Sequence, residues 1–124
     1  MKTLAALVTA TLFLATSHTA HAACAEVFII SFDVELYMPE NEATIEGRSF
    51  SKLYASPTTI AELAAKVSEF ANSANYDPDN VRAVVKSDNG RFYIDRFGGV
   101  RQDNKFGKID AKGFEEKLTT ECVE

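Results

Sequence analysis

The run from Val27 to Met38, Val-Phe-Ile-Ile-Ser-Phe-Asp-Val-Glu-Leu-Tyr-Met, constrains the fold more than any other stretch. Its even positions, Phe28, Ile30, Phe32, Val34, Leu36 and Met38, are large and apolar, and Ser31, Asp33 and Glu35 alternate with them. That period of two predicts a β-strand with one buried face. Each such side chain contributes about 1.5–3 kcal/mol when buried, so no other run of this length offers the core as much. A strand cannot bury that face alone, and the remaining chain must supply a sheet and a helical cover.

Pro39-Glu40-Asn41-Glu42 has turn composition, and 43–50 reads as a weaker returning strand interrupted by Gly47. Ile60, Leu63, Ala64, Val67, Phe70, Ala71 and Ala74 then recur at three- and four-residue spacing, which predicts the main helix over about 59–74. Ser56-Pro57 or Thr58 can cap it, and Thr59 with Glu62 has capping-box spacing. Val81 to Lys86 reads as a strand, Asp88-Asn89-Gly90 as a hairpin turn, and Arg91 to Phe97 as the returning strand. Gly98-Gly99 allows a change of direction, and 106–109 forms a short last strand. Asp110 can cap a closing helix over about 111–118, with Phe114 and Leu118 facing inward. The fold class is α+β: a single small domain with an antiparallel sheet of 3–5 strands and helices on one face. Reading 119–123 as a final strand gives the alternative, a split βαβ ferredoxin-like fold.

Residues 1–22 have the layout of a secretory signal peptide. Lys2 is followed by the apolar run Leu4–Leu14 and the small-x-small sequence Ala20-His21-Ala22. An exported domain of residues 23–124, periplasmic or extracellular, is expected, without a membrane anchor once the leader is removed. Cys24 and Cys122 are then an even pair in an oxidising compartment and read as a disulfide.

Export also removes His18 and His21, the only two histidines. A general base near neutral pH is most often His, so the common serine and cysteine mechanisms are excluded, and the expectation is a non-enzyme. Asp33 and Glu35, two apart on the expected strand, are the carboxylates available for a sugar bond or a cation, although a solvated strand face has the same pattern. Asp77, Asp79 and Asn80 resemble the start of a calcium loop, but Arg82 stands where that loop needs glycine. No metal or cofactor is expected.

Charge is unevenly spread. Residues 23–80 hold ten acidic and three basic side chains, whereas 81–108 hold seven basic and three acidic. Losing Lys2 with the leader takes the formal net charge from −5 to −6, which argues against nucleic acid as a partner. Arg91, Tyr93, Arg96, Arg101 and Lys105 combine arginine with aromatic side chains, the composition that protein interfaces favour. An acidic partner surface suits them, with Asp33 and Glu35 as the other candidate face. The leading expectation is a small exported binding or inhibitory protein, such as an immunity-type inhibitor of a toxin or hydrolase, whose partner is another protein. A secreted effector or toxin and a carboxylate-dependent enzyme are the alternatives, and the oligomeric state is left open.

Overall fold

A computed structural model of the chain describes residues 23–122. The expected signal peptide, 1–22, and the last two residues, 123–124, lie outside the described part. The elements run β1 (Ala25–Ile29), α1 (Ile45–Arg48), β2 (Ser51–Ala55), α2 (Pro57–Lys66), β3 (Val67–Ser68), a 3-10 turn (Ser73–Asn75), β4 (Val81–Ser87), β5 (Gly90–Asp95), β6 (Gly99–Gln102), β7 (Lys105–Lys108) and α3 (Ala111–Glu116). All seven strands join one antiparallel sheet in the order β2-β1-β4-β5-β6-β7-β3. The domain is α+β, with a sheet larger than the three to five strands that the sequence suggests.

Helix α2 links the two edge strands. Ser56 caps it by accepting the Thr59 N–H at 3.2 Å, Pro57 sets its first turn, and β3 begins directly after its last residue. Ten helical residues span about 15 Å. The edges of a flat seven-stranded sheet would stand about 29 Å apart. The sheet therefore curls around α2. Its inner face carries Val27, Ile29, Ala83, Val85, Phe92, Ile94 and Val100, packed against Leu63 of α2 and Phe114 of α3.

The outer face has a second cover, the segment from Ile30 to Phe50 that connects β1 to β2. Ile30 and Ile45 from this segment pack with Tyr76, Val81 and Val84, bordered by Phe28, Val34, Leu36, Tyr93 and Phe106. Two short stretches of backbone fix the turns between the central strands. Gly90, at φ 115°, closes the β4–β5 hairpin that Asp88-Asn89-Gly90 announces. At the β5–β6 turn the buried Asp95 carboxylate accepts N–H bonds from Asp77 (2.7 Å), Phe97 (2.8 Å) and Gly99 (2.8 Å).

Several expected elements differ. The strand of 27–38 ends at Ile29, and its buried residues are the odd ones: Val27 is 0% and Ile29 2% exposed, whereas Met38 is 65% exposed. Both faces of β1 are covered, so alternation of polarity does not mark the core side there. The strand expected at 43–50 is instead a turn and α1, and pairing starts at Ser51. The helix expected over 59–74 stops at Lys66 because Val67 turns extended (φ −101°, ψ 144°) and pairs with Gly107. Gly107 is required there, since a Cβ would meet the Lys66 carbonyl. Phe70, expected on the helical stripe, is 90% exposed. β6, absent from the expected order, lies between β5 and β7.

The ferredoxin-like alternative is not the architecture. Its last strand reduces to one antiparallel bridge, Thr119 with Tyr54, extending the sheet past β2. Cys122 then turns to Cys24 and the two form a disulfide with Cα atoms 5.7 Å apart. Joining residues 98 apart stabilises the fold by about 4–5 kcal/mol on the chain-entropy account.

Candidate functional site

The residues singled out from the sequence fall into two groups and one outlier. Arg91 and Tyr93 on β5 and Arg101 on β6 share the outer face, with Tyr93 opposite Arg101 in the register. The Arg101 guanidinium sits 5.2 Å from the Tyr93 ring centroid. Neither arginine is an open cationic platform, because the 30–50 segment brings a glutamate onto each. Arg101 grips Glu42 with two bonds, Nη2 to Oε1 at 2.6 Å and Nε to Oε2 at 2.7 Å, and Tyr76 donates its hydroxyl to Glu42 at 2.7 Å. Glu46 accepts from Lys86 at 3.0 Å and Arg91 at 3.2 Å.

These contacts set the ionisation of the face. Burial works to raise the Glu42 carboxyl, but the bonds from Arg101 and Tyr76 outweigh it and hold Glu42 below its ordinary value. The Lys86 bond does the same for Glu46. Burial, reinforced by the bond to Glu42, raises the Tyr76 phenol well above its ordinary range. The uneven charge of the sequence is thus matched within the chain.

The second group lies at the end of the sheet where β1 finishes and β5 turns into β6. Glu35 accepts from Arg96 Nη2 at 2.7 Å, and Asp33 pairs with Lys112 of α3 at 3.3 Å. The two carboxylates therefore do not share a strand face as expected: each serves a different partner, because the chain has left the sheet at Ile30. The Arg96 guanidinium lies 5.8 Å from the Phe97 ring centroid. Lys105, the outlier, is exposed at the start of β7 and makes no ion pair with the described residues.

The loop carrying Asp33 and Glu35 is braced along its length. Glu115 Oε1 accepts from the Ser31 hydroxyl and the Phe32 N–H, both at 3.1 Å, and Arg82 Nη1 donates to the Ser31 carbonyl at 2.7 Å. Arg82 is only 2% exposed, and its burial lowers its pKa. Farther along, Glu35 is tied to Arg96, and the Glu40 carbonyl accepts the Val81 N–H at 2.8 Å. Between those two ties Tyr37 is fully exposed and Met38 largely so; across the ion pair, Phe97 is also exposed.

Comparison with protein-family models, curated proteins and solved structures finds no match.

The site must accordingly be judged on its own chemistry. Among the described residues no three Asp, Glu or Cys side chains converge to hold a metal ion, and no helix is long and apolar enough to cross a membrane. A groove of about 280 Å³ opens between α2 and α3, over Leu63, Ile109 and Phe114. The sequence reading missed Glu42, Glu46, Tyr76 and Glu115 as partners, and nothing local signals contacts between residues so far apart. It also missed Tyr37, for which a signal existed. Leu36-Tyr37-Met38 places three apolar residues in succession, which breaks the alternation on which a strand through Met38 depends.

Proposed function

We propose that this is a small exported binding protein that inhibits another protein by seating the Tyr37–Met38 loop and the neighbouring Arg96–Phe97 turn in a cleft of its partner. The observation that carries the reading is the full exposure of Tyr37 on a segment tied down on both sides. A loop already held in one conformation loses little entropy on docking, so its apolar tip contributes more of its burial to affinity. Tyr, Phe, Met and Arg are also the side chains enriched at the centres of protein interfaces. The cystine joining Cys24 and Cys122 suits an oxidising compartment.

On this reading Arg96 belongs to the contact surface, while Arg91 and Arg101 hold the outer cover. The test is capture of partners by the oxidised mature protein from whole-cell and secreted extracts, identified by mass spectrometry, beside a Tyr37→Ser/Met38→Ser/Phe97→Ser variant. One stoichiometric protein partner is expected, bound at least tenfold more weakly by the triple variant and about equally by Arg91→Glu. A partner held equally by wild type and triple variant would refute the loop as the contact.

A further inference from the structure

We propose that the groove between α2 and α3 binds a free α-amino acid with an apolar side chain. The two helices present matching stripes, Thr59, Glu62, Leu63 and Lys66 from one and Asp110, Gly113, Phe114 and Lys117 from the other. Each stripe has the i, i+3, i+4, i+7 spacing of one helical face. Leu63 and Phe114 belong to the buried inner core, so the floor is apolar and built on fixed side chains. Gly113 leaves room for the Asp110 carboxylate, whose Oδ2 lies 2.6 Å from where a Cβ would stand.

The charges on the rim are arranged unequally. At one end Glu62 and Lys117 pair across the gap at 3.1 Å. At the other stand Lys66 and Asp110. Both line the groove and both adjoin the pairing of Val67 with Gly107, Lys66 one residue before Val67 and Asp110 three residues after Gly107. The side chains of Lys66 and Asp110 lack hydrogen-bond or ion-pair partners among the described residues. An ammonium and a carboxylate thus flank one end of an apolar trough without neutralising each other.

An α-amino acid has the complementary layout. Its carboxylate and ammonium leave the same carbon, to meet Lys66 and Asp110, and its side chain runs along Leu63 and Phe114 toward the Glu62–Lys117 pair. The volume, about 280 Å³, equals that of about nine water molecules, enough for one large side chain and its head group. It lies just under the range of pockets that take larger ligands.

The experiment is titration of the oxidised protein with L-phenylalanine, followed by two-dimensional amide NMR. N-acetyl-phenylalanine and phenylalaninamide, each lacking one charge, serve as the comparison ligands. Saturable shifts at the amides of Leu63, Gly113 and Phe114 are expected, with at least tenfold weaker binding of both analogues. Lys66→Gln and Asp110→Asn alter exposed side chains, and each is expected to weaken L-phenylalanine binding about tenfold while leaving the remaining amide spectrum in place. Equal affinity for the neutralised analogues, no loss in either variant, or no saturable shift at millimolar ligand would each overturn the assignment.

Discussion

The two faces of the sheet are covered by different physics. On the inner face, Val27, Val85, Phe92, Ile94 and Val100 are wholly buried beneath α2 and α3, and hydrocarbon contact does the holding. On the outer face a smaller apolar island around Ile45, Tyr76 and Val84 is ringed by Arg101–Glu42, Lys86–Glu46 and Arg91–Glu46. Burial stabilises without specifying direction, whereas the bidentate Arg101–Glu42 pair and the Glu46 bridge between Lys86 and Arg91 fix where the 30–50 segment lies. The inner face therefore supplies stability, and the outer face adds register.

The sharpest challenge to that division is Phe92→Ala. It is expected to cost about 3–5 kcal/mol in urea unfolding, from lost burial and a cavity. Glu42→Ala is expected to cost less, about 1–3 kcal/mol, because it leaves the half-buried Arg101 and the buried Tyr76 without their shared acceptor. A Glu42→Ala loss as large as that of Phe92→Ala would break the comparison.

The smallest effect is a dependence on pH. Glu42 and Glu46 are held below their ordinary value of 4.5, so their contribution is complete above 4.5 and is lost as pH falls through the lower folded-state values. Urea midpoints measured from pH 6 to pH 3 are expected to fall more steeply for the wild type than for Glu42→Ala. Phe92→Ala, with both glutamates in place, is expected to track the wild-type slope, and parallel slopes for all three would remove charge from the account of the outer face.

What was legible in the sequence was local. The Asp88-Asn89-Gly90 turn, the Ser56-Pro57 helix start, the inward Phe114 and the cysteine pair each depend on neighbours or on simple pairing rules. What was not legible depended on distant chain. The apolar period through Phe70 and Ala74 continues that of a helix, yet pairing with Gly107 at the sheet edge draws Val67 out. The alternation after Ile29 resembles a strand, yet Arg82 and Glu115 take hold of Ser31 and the chain leaves the sheet. At the candidate site, Arg96 and Glu35 were singled out, but for different surfaces. Their union, 61 positions apart, is a product of the fold.

The Cys24–Cys122 bridge has a mechanical consequence. The described chain is a covalent ring closed next to β1, so a pull applied between residues 24 and 122 is borne by the sulfur–sulfur bond and bypasses the strands. Reduction moves that load onto the hydrogen bonds of β1, which the sheet must then resist strand by strand.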